Sequence, residues 1–106
     1  MSSFASKKCL PCHGGIPTLS EEEQIRFLRE VPGWQIVQQH HLSRSYNFPD
    51  FKTALAFLNK VAEISEAEGH HPDLLLRWGQ VRVDIWTHAV NGLTENDFIL
   101  AAKCDQ

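Results

Sequence analysis

Three histidines offer the clearest prospect of chemistry in this chain: the adjacent pair His70-His71 and the later His88. An imidazole has an ordinary pKa of about 6.5, so it can give or take a proton near neutrality, and it is also the commonest metal ligand. Spacing leaves acid–base work and metal binding about equally open, with Asp73 or Glu66 able to add an oxygen to a metal. Neighbouring residues on an extended strand point to opposite faces, which makes joint chelation by His70 and His71 awkward. Each nearby candidate also has a plain structural role. Asp97 suits a helix-capping acid. Glu66, one helical turn before His70, suits a solvated side chain. Tryptophans such as Trp34 and Trp78 more often serve a core or an interface, whereas Trp86, close to His88, could wall a flat heteroaromatic ring.

A second cluster, Cys9-Leu10-Pro11-Cys12-His13, matches the C-x-x-C-H pattern of c-type haem attachment. That chemistry needs an export compartment, and residues 1–11 contain no apolar h-region to signal export. No second C-x-x-C follows to complete a zinc site. The thiols are expected to be a reduced, structural feature of an N-terminal arm, with the protein in the cytoplasm.

Composition sets the frame for both clusters. The 106 residues are 42% hydrophobic and 22% charged, with a net charge of −3, which suits one soluble domain. The basic residues are scattered from Lys7 to Lys103 and form no stripe, so neither nucleic acid nor an anionic membrane is expected as a direct partner. No apolar run approaches the roughly 20 residues needed to span a bilayer.

The positioning elements follow from local patterns. Residues 1–19 read as an irregular arm, with Pro11, Gly14, Gly15 and Pro17 interrupting any period. Ser20 with Glu23 forms a capping-box pattern, which predicts a helix from Glu21 to Val31 with Ile25, Leu28 and Val31 inward; Pro32-Gly33 stops it. Residues 34–40 and 42–48 suit two short strands. A long helix is predicted over 50–68, with Phe51, Ala54, Leu55, Leu58, Val61 and Ala62 on one buried face. Phe57 and Ile64 widen that stripe enough for a second contact such as another subunit, and Gly69 suits the left-handed residue that ends the helix.

A hairpin comes next. Gly79-Gln80 suits a two-residue type II′ turn, which would set Trp78 against Val81, Leu76 against Val83 and Leu74 against Ile85. Extended outward, that register sets His71 beside His88. Asn91-Gly92 makes the following turn, and Thr94-x-x-Asp97 caps a last helix to Lys103 with Phe98, Ala101 and Ala102 inward. The expected fold is α+β: one domain over residues 20–106, element order αββαββα, with a four-stranded antiparallel sheet and three helices packed on one face.

The string Glu66-x-x-x-His70-His71-Pro72, followed by Trp78, Thr87-His88 and Gly92-Leu93-Thr94-x-x-Asp97, closely resembles the pterin-4a-carbinolamine dehydratase family. The likeness extends back through Phe48-x-Asp50-Phe51 and Gly33-Trp34, and the cysteine-bearing arm looks like an extension found in some members. The resemblance implies dehydration of a 4a-hydroxytetrahydropterin to quinonoid dihydropterin, a step in tetrahydrobiopterin recycling, with no metal or organic cofactor. It matches His70, His71 and His88 to the family's three active-site histidines. Gly69, Trp86, Thr87 and Ala89 stand where members contact the pterin, with Glu66 and Asp97 as further substrate-site candidates. Many members carry a polar or acidic residue in place of Gly69, a small one in place of Trp86, and Glu in place of Ala89. A homodimer or homotetramer is implied, and the family includes members that also stabilise a transcription factor's dimerisation helices.

Overall fold

The computed structural model describes residues 3–10 and 16–106. It has three helices and one four-stranded antiparallel sheet, the α+β order expected from the sequence. The helices are α1 (Glu21–Leu28), α2 (Phe51–Glu68) and α3 (Glu95–Cys104). The strands are β1 (Gln35–Val37), β2 (His41–Asn47), β3 (Asp73–Arg77) and β4 (Gln80–Ile85), arranged β1-β2-β4-β3 across the sheet. Among the described residues, no helix is long and apolar enough to cross a membrane.

Alternation along the strands decides which face of the sheet is covered. Leu42 lies opposite Ile85, and Leu74 and Leu76 lie opposite Val83 and Val81. These side chains meet Ala54 and Val61 of α2 and Phe98, Leu100 and Ala101 of α3 in one core. Phe98, Leu42 and Ile85 are fully buried, each stabilising the fold by roughly 1.5–3 kcal/mol. The arm contributes as well. A 3₁₀ turn at Ser3–Ser6 buries Phe4, whose ring packs edge-on to Phe27 and tilted against Phe98. Cys12 and His13, the second half of the haem-like motif, lie outside the described residues.

The start of α1 is as expected, while its end and its inward face differ. Ser20 accepts from the Glu23 N–H, while the Glu23 carboxylate accepts from the Ser20 N–H, so the capping box forms as predicted. The helix stops at Leu28, however, and the chain reaches Val31 and Trp34 through turns. Gln24 is buried and Ile25 is half exposed, reversing the expected roles. The Gln24 amide is satisfied by the carbonyls of Leu19 and Gln39, which makes its burial tolerable. On α2, Ala54 and Val61 turn inward as expected, whereas Phe51 and Leu55 remain exposed.

The β3–β4 hairpin closes one step earlier than its turn residues suggested. Arg77 pairs with Gln80, so the loop is Trp78-Gly79, and Leu76 faces Val81 rather than Val83. Gly79 is not at positive φ, as a type II′ turn would need. Its glycine serves close approach: a Cβ there would stand 2.9 Å from the Phe48 carbonyl, and the Gly79 carbonyl accepts from the Phe48 N–H at 2.8 Å. The observed register differs from the expected one by an even step. It therefore preserves which residues face the core while changing every cross-strand partner.

Candidate active site

The C-terminus of α2 delivers the first histidine. Gly69 adopts a left-handed φ of 66°. Its N–H bonds to the Glu66 carbonyl, and the His70 N–H bonds to the Ser65 carbonyl. These are the two bonds of a Schellman motif, which turns the chain sharply off the helix and aims His70 inward. His70 is buried, and its Nε2 lies 2.6 Å from Asp97 Oδ1.

Asp97 reaches that point from the first turn of α3. Its other oxygen accepts the Thr94 N–H at 2.8 Å and the Thr87 hydroxyl at 2.9 Å. Because the Thr87 hydroxyl donates to Asp97, it accepts in turn from the Thr94 hydroxyl at 2.8 Å. A fully buried carboxylate is thus surrounded by donors, the condition under which a buried charge is tolerable. The contact requires the proton on His70 Nε2. The neutral ring then carries its lone pair on Nδ1, which has no partner among the described residues.

His71 is the next residue and is oriented by a different carboxylate. Its Nε2 lies 2.7 Å from Glu66 Oε2, one helical turn back on α2. This pair is open to solvent, with side-chain exposures of 59% and 78% against 8% and 0% for His70 and Asp97.

His88 comes from the opposite side by a route the strand register did not foresee. The sheet ends at Ile85, and continuing its pairing would bring Trp86, not His88, beside His71. Thr87 and Gly92 then bridge antiparallel and close a small loop. Inside it, His88–Val90 form a 3₁₀ turn that ends at Asn91 in a left-handed conformation, φ 51°. Trp86 packs on His88 with ring centroids 4.5 Å apart.

These routes converge on a depression of about 180 Å³ lined by Gly69, His70, His71, Trp86, Thr87, His88 and Ala89. The three histidines and Trp86 stand out in the sequence itself, and the family resemblance adds Gly69, Thr87 and Ala89. Glu66 and Asp97, proposed there for the substrate site, do not line it; each stands behind one of the histidines. Sequence reading missed the connection between Asp97 and His70, and also the involvement of His40, His41 and Asn91 around Trp86. A second His-His doublet at a predicted hairpin was the available signal for the latter. Among the described residues, no three His, Cys, Asp or Glu side chains converge as a metal site. The arrangement offers three imidazoles, two of them held by carboxylates of opposite exposure, beside one aromatic wall, which suits proton donation and removal on a flat ligand.

Known proteins agree with this reading of the fold and motifs. A sequence profile described as pterin 4 alpha carbinolamine dehydratase matches residues 17–106. A protein of Rubrobacter xylanophilus, provisionally named a pterin-4-alpha-carbinolamine dehydratase, is 48% identical over 100% of this chain and 99% of its own. One from Rickettsia canadensis with the same provisional name is 51% identical over 99% and 97%. Among solved structures, a transcriptional coactivator/pterin dehydratase from Brucella melitensis is similar with a TM-score of 0.79 at 37% identity, covering 84% of this chain and 96% of that one. A pterin dehydratase-like RuBisCO assembly factor of the alpha-carboxysome shares the fold, with a TM-score of 0.60 at 24% identity. With a profile match across most of its length, and relatives similar from end to end, this chain belongs to the pterin 4 alpha carbinolamine dehydratase family.

Proposed function

We propose that this protein dehydrates a 4a-hydroxytetrahydropterin to quinonoid dihydropterin, with His70, His71 and His88 as its acid–base groups. One observation carries the reading: His70, held from behind by the buried Asp97, lines the same depression as His71 and His88. Loss of water needs a proton on the departing C4a hydroxyl oxygen and removal of a proton from a ring N–H. The N–H electron pair then forms the new C=N bond, and the hydroxyl leaves as water. Asp97 holds the Nε2 proton of His70 and leaves Nδ1 able to accept. Histidines around the ring can supply the donor, each such transfer contributing about 10²–10⁴-fold in rate. The depression is smaller than the ~300–1,000 Å³ of an enclosed ligand pocket, so a bicyclic ring would lie on it as on a shelf. Trp86 offers one face to the ring, with Gly69, Thr87 and Ala89 at its edges. No cofactor is required, and tetrahydrobiopterin recycling in the cytoplasm is the setting proposed.

The test is turnover of a synthetic 4a-hydroxytetrahydropterin above its spontaneous rate. His70→Ala and His88→Ala should each reduce turnover by at least about tenfold while circular dichroism stays native. Unchanged turnover in both variants would sink the assignment.

A second reading, a protein-binding module, draws on exposed Phe51 and Leu55 along α2. The same side chains would serve a homodimer or homotetramer. Sedimentation separates these cases, since a clean monomer would count against self-association.

A further inference from the structure

We infer that His40 is a positioning residue for the candidate site, gripping the chain on both sides of His88. For its effect on turnover this rests on the dehydratase reading; its geometry does not.

His40 ends the turn between β1 and β2. Gln38 and Gln39 precede it at φ 53° and 55°, a conformation that side-chain-bearing residues adopt only when their surroundings enforce it. Here α1 does so: Gln24 donates its side-chain amide to the Gln39 carbonyl, and the Gln39 side chain donates to Glu21. The His40 N–H closes the turn onto the Val37 carbonyl. The backbone carrying the ring is therefore anchored independently of the site.

The ring itself makes two kinds of contact with the site. It packs against Trp86 at 5.2 Å between centroids, and Trp86 packs in turn on His88. Its Nε2 lies 2.8 Å from Asn91 Oδ1, and Asn91 ends the 3₁₀ turn on which His88 stands. His40 thus touches the residue two before His88 and the residue three after it. Asn91 Oδ1 can only accept, so His40 Nε2 donates to it. His40 Nδ1 and His41 Nδ1 stand 3.0 Å apart and share one hydrogen bond. His41 also faces Trp86, at 5.9 Å, and steadies the same wall.

Three substitutions separate the contacts. His40→Phe keeps a ring against Trp86 and loses the donor to Asn91. Asn91→Gly suits the left-handed backbone and loses the acceptor. His40→Gln keeps an amide donor and loses the ring. In a Trp78→Phe background, which removes the exposed tryptophan, acrylamide should quench the fluorescence of His40→Gln more strongly than that of His40→Phe. Amide exchange in the 87–92 loop should accelerate equally in His40→Phe and Asn91→Gly. The double variant should be no faster, because both remove one bond. Turnover should fall about three- to tenfold, mostly in kcat, a smaller effect than the ~10²-fold that a 1 Å misplacement can cause. Additive exchange effects, or a folded His40→Ala with wild-type quenching and exchange, would overturn the inference. If the wild-type protein shows no dehydratase turnover, the dehydratase reading falls, and quenching and exchange still decide the role of His40.

Discussion

Two histidine–carboxylate pairs stand side by side in this protein with nearly the same geometry and opposite surroundings. His70–Asp97 spans 2.6 Å and is buried where the end of α2 meets α3; His71–Glu66 spans 2.7 Å and lies in solvent. Distance alone would rank them equal. Burial separates them, because solvent competes for an exposed pair and screens it, whereas a buried partner left alone has nothing to replace what it lost. Asp97 also has three donors aimed at it, whereas the contact shown for the Glu66 carboxylate is His71. The buried pair fixes a proton at a chosen nitrogen, while the exposed pair biases the orientation of a ring open to solvent.

Substitution should expose that contrast most strongly at Asp97. Asp97→Ala strands His70, the Thr94 N–H and the Thr87 hydroxyl, and is expected to destabilise the fold by about 3–5 kcal/mol, read by urea denaturation. A loss near zero would mean that water replaces the carboxylate and that the pair is not truly sealed. Asp97→Asn keeps the volume but turns an amide NH2 toward existing donors, and should cost about 1–3 kcal/mol. Its turnover should fall further than that of any Glu66 variant. Glu66→Gln should change stability by no more than about 1 kcal/mol, with a modest loss of turnover. Equal losses at Glu66 and Asp97 would erase the distinction drawn from burial.

The smallest effect concerns a third carboxylate, Glu23, the exposed counterpart of Asp97 as the acid of a capping box. The Ser20 N–H and then the Ser20 hydroxyl hold Glu23 below its ordinary value of 4.5. A carboxylate lowered on folding contributes stability above its unfolded value and loses it as pH falls through the folded one. The melting temperature of Glu23→Gln should therefore lie slightly below wild type at neutral pH. That gap should close as pH drops beneath 4.5. A gap that persists in acid would assign the effect to packing instead of charge.

Much of this site could be read before any coordinates. The motif residues His70, His71 and His88 stand out by type and spacing, while the flanking Gly69, Thr87 and Ala89 enter as site residues only through the family resemblance. The left-handed Gly69 followed from its place after a long apolar period, and both capping boxes followed from a hydroxyl three residues before an acid. Other expectations failed for identifiable reasons. Ile25 was assigned inward because it is apolar, yet the short α1 turns Gln24 inward, where two carbonyls satisfy its amide. Gly79 was assigned a turn needing positive φ, but its glycine answers to the neighbouring Phe48 carbonyl.

By itself, the sequence determined the features that depend on residues a few positions apart: helix starts, the stop at Gly69, and the alternation that gives the sheet an apolar face. Such features arise from bonds and periods contained within one element. The hairpin register needed tertiary structure, because a period of two is blind to an even shift, and Phe48 packs against the turn at Gly79. The partnership of Asp97 with His70 needed it too, since α3 must dock before its capping acid can meet the end of α2. The approach of His88 to the other two histidines likewise belongs to the loop closed between Thr87 and Gly92, and not to the strand before it.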